Sequence, residues 1–200
     1  MSTHCLVYCG ALDAELHRLV DAGAFAAELQ PVDSGLCTDP PALGRALRRH
    51  LTARQGRPVL LVYGHCLPGI DALARHYGAR RVPASNCMAM LLGEAEYTRR
   101  VAAGCFFLLP EWAGRWRAIL QGRLGLSPAV AAELLSGELS QAVYLDTGVA
   151  DHPADALTEF ALYSGLPVTR QAVGLDHLAQ LLRAALSDRR LERMAGQGDF

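Results

Sequence analysis

The sequence predicts an α/β protein: a mostly parallel sheet with helices on both faces, Rossmann- or flavodoxin-like. Three observations carry this. Short apolar runs such as Val59-Leu60-Leu61-Val62-Tyr63 alternate with longer segments of helical periodicity. The runs are apolar throughout rather than at alternate positions, as strands buried on both faces require. Three of them end in a small turn, at Tyr8-Cys9-Gly10, Tyr63-Gly64-His65-Cys66 and Tyr144-Leu145-Asp146-Thr147-Gly148.

Taken in order, His4 to Cys9 reads as a short buried strand closed by Gly10. Ala11 to Leu29 reads as the first helix, because Leu12, Leu16, Leu19 and Val20 recur at helical spacing and Asp13 and Glu15 suit its positive amino end. Pro31 to Gly35 is a short strand or loop. Thr38-Asp39-Pro40-Pro41 starts a helix that should run to about residue 55. Val59 to Tyr63 is a central strand, followed by a helix from Gly69 to Tyr77 and an extended segment at Arg81-Val82-Pro83-Ala84. Cys87–Leu92 and Glu94–Ala103 read as helices, and Cys105–Leu109 as a buried strand. Helices at Glu111–Gln121 and Ser127–Leu135 come next, the second capped by Ser127-Pro128. A strand at Ala142–Leu145, a helix at Pro153–Ser164, a strand at Pro167–Val173 and a helix at Leu175–Leu186 complete the order.

No linker or composition break divides the 200 residues, so residues 1–187 read as a single α/β domain; any division into two sub-lobes falls within 81–104. The polar tail 188–200 is expected to fray. Lys and Arg number 19 against 20 Asp and Glu, and the Arg are scattered, so no basic face for nucleic acid is expected. The amino terminus lacks the cationic and apolar segments of a signal peptide, and no apolar run reaches the roughly 20 residues of a membrane span. A cytoplasmic location is the expectation. Six cysteines in such a compartment read as thiols, metal ligands or packing residues rather than as a disulfide framework.

Ligands of open α/β sheets settle beyond the carboxyl ends of the strands. Cys9 closes the first strand, Cys66 lies in the turn after a central strand, and Cys87 follows the short extended segment, so all three fall on that edge. With the first strand beside the Val59 strand, their ends stand about 4.8 Å apart, near enough to share an ion. Cys5 lies too low on its strand to join them, and Cys105 begins its strand at the opposite edge; both read as packing residues. Cys37, in a loop before a helix, is a candidate fourth ligand, as is His65, which is also a candidate proton donor. Asp146 at another strand end is a candidate proton acceptor or ligand-orienting group, although Asp-Thr-Gly is also a turn and capping sequence. Tyr8 and Tyr63 are expected to pack with their hydroxyls satisfied. Three thiolates with an open position suit a [4Fe–4S] cluster or a catalytic zinc, and their softness excludes Mg²⁺ and Ca²⁺. No phosphate loop, dinucleotide fingerprint, Gly-x-Ser-x-Gly elbow or Cys-x-x-Cys pair occurs.

At Tyr8-Cys9-Gly10-Ala11-Leu12, Tyr63-Gly64-His65-Cys66 and Asn86-Cys87 the chain resembles the family known as domain of unknown function 1638. Gly93, Gly104-Cys105-Phe106-Phe107-Leu108, Leu124-Gly125-Leu126 and Val143-Tyr144-Leu145-Asp146-Thr147 extend the resemblance over about Leu6 to Leu182. It implies an α/β protein whose motif cysteines match Cys9, Cys66 and Cys87, in a family whose members often accompany corrinoid-dependent methyltransferase genes. It implies no established reaction. This chain departs from the family's pattern at His65 and Leu67 around Cys66, at Asn86, Met88 and Ala89 around Cys87, and at Cys37, where the family has His.

The expectation is therefore a cytosolic metalloprotein whose Cys9, Cys66 and Cys87 hold an iron–sulfur cluster or zinc, acting in or beside corrinoid-linked methyl transfer. Two rivals stand beside it. One is a non-catalytic accessory protein that binds or delivers a cofactor to a partner methyltransferase, and the other is thiol catalysis with Cys66 as nucleophile and His65 nearby.

Overall fold

A computed structural model describes residues 4–187. The predicted tail 188–200 lies outside them. The described residues divide into two units, 4–90 with 175–187 and 91–174. The chain leaves the first unit after Met90 and returns to it at Leu175.

The first unit carries β1 (His4–Cys9), β2 (Ala27–Val32), β3 (Val59–Val62) and β4 (Arg80–Arg81). They form one parallel sheet in the order β2-β1-β3-β4. The expected pairing of the first strand with the Val59 strand is present, with Tyr8 opposite Val62. Both central strands are buried almost from end to end, which is why their sequences show no alternation. Pro31 is tolerated because β2 is an edge strand, where one flank needs no donor.

Helices α1 (Asp13–Asp21), α2 (Pro40–Thr52), α3 (Ile70–His76) and α9 (Asp176–Ser187) belong to this unit. Leu12, Leu16, Leu43 and Leu47 lie fully buried beneath them. Burial of each such side chain contributes about 2 kcal/mol. Asp39 caps α2 by accepting the Ala42 N–H at 3.0 Å.

The first helix departs from the sequence expectation. It ends at Asp21 rather than Leu29, and residues 27–32 form β2. The N–H groups of Gly23 and Ala24 fold back onto the carbonyls of Val20 and Leu19, with Gly23 at φ +70°, a conformation that closes helices. Beyond it, ladder bonds to β1 override helix propensity.

The second unit holds β5 (Cys105–Leu108), β6 (Gln141–Asp146) and β7 (Val168–Ala172), parallel in that order. Helix α4 (Cys87–Leu92) spans the division between the units, and α5 (Glu94–Ala102) follows it. Helix α6 (Pro110–Arg117) passes into a π-helical turn over residues 118–123; α7 (Pro128–Glu138) and α8 (Ala154–Ser164) follow. Trp116, Phe160 and Tyr163 centre this unit's core, with the Trp116 and Phe160 rings edge-to-face at 5.6 Å. Among the described residues no helix is long and apolar enough to cross a membrane.

Candidate functional site: four thiols on one sheet edge

Each of the four parallel strands of the first unit delivers one cysteine at or just beyond its carboxyl end. Cys9 is the last residue of β1. Cys37 follows β2 in a 3₁₀ turn, Ser34–Thr38, whose start is fixed by Asp33 accepting the Gly35 N–H at 2.8 Å. Cys66 follows β3, and Cys87 opens α4 after β4. Asn86 holds that opening by accepting the Ala89 N–H at 2.9 Å.

The sulfurs of Cys9 and Cys37 lie 3.6 Å apart. Cys66 interacts electrostatically with Cys37, and Cys87 with Cys9, so the thiols run in the series Cys66, Cys37, Cys9, Cys87. It is an open series. Among the described residues no group of three or more His, Cys, Asp or Glu side chains is closed around one point as a metal site.

Charge is unevenly shared along the series. Hydrogen bonds from Cys37 and Cys87 pull the Cys9 thiol well below its ordinary range, overcoming its burial, and the Ala11 N–H adds to them. The Cys37 hydrogen bond likewise lowers Cys66, helped by the Gly64 and Cys66 N–H groups. Cys37 is pushed up by its bonds to Cys66 and Cys9, and Cys87 by its bond to Cys9 and then by burial. The thiolate form is thus favoured at Cys9 and Cys66 and disfavoured at Cys37 and Cys87.

Two features that sequence reading missed bring the β3 and β4 turns together. A Cβ on Gly64 would lie 2.1 Å from the Ser85 carbonyl oxygen, so only glycine permits this approach. The His65 N–H donates to that same carbonyl at 2.8 Å. The second feature is Arg81, whose side chain is 9% exposed. Its guanidinium donates to the carbonyls of Tyr63, Val82 and Ala84 and to Asp71, lacing both turns. The signal for it was a charged residue in a two-residue strand between apolar neighbours.

His65 lies in the same unit but is engaged elsewhere. Arginine has only donors, so the His65 Nε2 accepts from Arg81 at 2.9 Å. That lone pair is taken, and the ring is exposed. Cys5 and Cys105 are buried, and Cys105 sits at the amino end of β5 opposite Gln141. Tyr8 donates to Asp13 at 2.6 Å as expected, whereas the Tyr63 hydroxyl is buried with no partner among the described residues, against expectation.

Asp146 belongs to the second unit. Its Oδ1 accepts the Gly148 N–H at 3.0 Å and its Oδ2 accepts from Arg170 at 2.6 Å. These bonds hold its carboxyl below the ordinary range, and the one from Gly148 is that of a turn cap. The linkage has a sign. A depressed folded pKa contributes stability that is complete above the unfolded value, 3.8, and is lost as pH falls through the lower folded value. Asp146→Asn is therefore expected to lower the unfolding temperature at neutral pH and to flatten its decline in acid, measured from about pH 6 to about pH 3.

The fold and this edge define a class: a parallel α/β protein of the Rossmann-like type with four thiols gathered beyond its strands. The chain belongs to the family described as "Protein of unknown function (DUF1638)", which it matches over residues 32–182. Cys37, Cys66 and Cys87 fall within the matched span, while Cys9 precedes it, so the match begins later than the resemblance from Leu6 implied. No curated protein and no solved structure matches the chain.

Proposed function

We propose that the protein is a cytoplasmic thiolate metalloprotein in which Cys9, Cys66 and Cys87, with Cys37 beside them, hold a single zinc-like ion. The observation that carries this is the delivery of one thiol by each of four adjacent parallel strands, with the Cys9 and Cys37 sulfurs 3.6 Å apart. Two sulfurs bound at about 2.3 Å to one tetrahedral ion stand about 3.8 Å apart. In a [4Fe–4S] cluster each thiolate binds a different iron and the sulfurs are spread more widely, so the spacing favours one ion. The thiol series would close around the ion as Cys37 and Cys87 lose their protons. Six free thiols suit a reducing compartment.

The setting beside corrinoid-linked methyl transfer rests on the family resemblance. A bound zinc would supply Lewis acidity and keep a thiolate nucleophilic at neutral pH, the chemistry such a transfer uses. Elemental analysis with a visible spectrum on protein purified without oxygen tests the reading. About one zinc per chain supports it, about four irons with sulfide would replace it with the cluster, and neither metal would remove it.

One observation favours a second reading, the accessory protein. The exposed large apolar side chains among the described residues, Val101, Leu124, Val130, Leu134 and Leu162, all lie within residues 91–174. Leu162 on α8 is 82% exposed and Leu134 on α7 is 55% exposed. Exposed apolar side chains mark a docking surface where they form one contiguous patch. A complex with a corrinoid-dependent methyltransferase in size-exclusion chromatography, lost in Leu162→Asp, is the expected outcome; separate elution of the wild type removes this reading.

A further inference from the structure

The Cys9 and Cys37 sulfurs touch at 3.6 Å. A disulfide places its sulfurs about 2.05 Å apart, so this pair stands about 1.5 Å short of a bond. The backbone brings the two residues together. Cys9 lies opposite Val32 in the β1–β2 ladder. Just beyond, a Cβ on Gly10 would lie 3.1 Å from the Val32 carbonyl oxygen and 3.5 Å from the Ser34 nitrogen, so the chain leaving β1 runs close against the chain leaving β2. The turn that carries Cys37 is itself fixed. The Gly35 N–H donates to Asp33, the Thr38 hydroxyl to the Gly35 carbonyl at 2.9 Å, and the Asp39 N–H to the Leu36 carbonyl at 2.9 Å. Cys9 is 1% exposed, whereas Cys37 is only half-buried and opens the pair to solvent.

We propose that Cys9 and Cys37 form a reversible disulfide when the protein meets hydrogen peroxide, which makes this sheet edge a redox-modification site. In the first step one sulfur of the pair attacks the peroxide. An S–O bond forms, the O–O bond breaks, and the departing oxygen leaves as water with the proton of that thiol. The second sulfur then attacks the sulfenic sulfur. The S–S bond forms, the S–O bond breaks, and the oxygen leaves as a second water with the second thiol's proton. Two electrons pass from the sulfurs to the peroxide, and a dithiol returns them by exchange. A sulfur in a disulfide offers no thiolate, so this bond and an ion at the same sulfurs exclude each other. The inference needs only the two sulfurs and does not rest on the metal reading.

The test uses the full chain, reduced, treated with a chelator, exposed to hydrogen peroxide, then alkylated, digested with trypsin and mapped by mass spectrometry. Arg18 is the first trypsin site, and Cys37 is the only cysteine between it and Arg45, so a Cys9–Cys37 bond joins two defined peptides. Two fewer of the six thiols should be alkylated, the joined peptide should appear, and dithiothreitol should restore all six. Cys5 shares its peptide with Cys9, so the map is repeated on Cys5→Ala, which should keep the link. Cys9→Ser and Cys37→Ser should lose it, and Cys66→Ser should keep it. A peroxide-treated wild type with all six thiols still free overturns the inference. So does a link from Cys37 to the Cys66 peptide, a link lost in Cys5→Ala, or conversion to sulfinic acid with no link formed. The wild-type map decides the matter even if the serine variants fail to fold.

Discussion

Cys9→Ser, Cys66→Ser and Cys87→Ser are each expected to purify without stoichiometric metal, where the wild type carries about one zinc per chain. The size of the effect follows from geometry. Each thiol comes from a different strand end, so no neighbouring cysteine on the same loop can replace it. Replacing a partner that merely supports a ligand costs 10- to 100-fold in affinity, and losing a ligand should cost at least about 100-fold. Cys37→Ser is expected to weaken binding too, because Cys37 bridges Cys9 and Cys66. Cys5→Ala and Cys105→Ala are the controls, since both thiols lie outside the series and should leave metal content unchanged. Full metal in all three single variants would sink the proposal. Loss in Cys5→Ala as well would show a general folding defect instead.

Much of this arrangement is legible in the sequence, for a physical reason. Parallel strands buried on both faces must be continuously apolar, so β1 and β3 announce themselves, and the residue that ends such a run lies at the carboxyl edge. That logic places Cys9, Cys66 and Cys87 on one edge before any coordinates. Cys37 is harder, because its strand carries Pro31 and half-buried polar residues and hides inside an extrapolated helix period. Mistaking residues 27–29 for helix shortens β2 and leaves Cys37 in an unanchored loop. Arg81 and the Tyr63 hydroxyl are harder still. Whether a charge or a phenol in an apolar segment finds partners depends on loops brought together only by the tertiary fold. Asp146 shows the converse, since its residue type fits both acid-base work and turn capping, and its bonds to Gly148 and Arg170 appear only in the fold.

Gly64→Ala should be the most damaging substitution outside the thiols. The added methyl would lie 2.1 Å from the Ser85 oxygen and 2.4 Å from the Asn86 Cα, both backbone atoms that no side-chain rotation can move. The turns must separate. Separation stretches the bond from the His65 N–H to Ser85 and strains the guanidinium lacing of Arg81, which holds the carbonyls of Tyr63 and Ala84 on the two sides. Overpacking of this kind costs about 3 kcal/mol, or roughly 10 °C in unfolding temperature for a chain of this size. Gly69→Ala is the matched control. It sits at φ +75° with open space around its Cβ position, so its cost is left-handed backbone strain alone, about 1 kcal/mol. The two substitutions part further in function. Gly64→Ala moves the turn bearing Cys66 relative to Ser85 and Asn86, the residues that lead into Cys87, and so should lower metal affinity even at temperatures where the variant is fully folded. Gly69→Ala leaves that spacing untouched. Thermal unfolding and metal titration on both variants check this pair, and equal metal affinity would show that close approach of the two turns stabilises the sheet edge without shaping the thiol site.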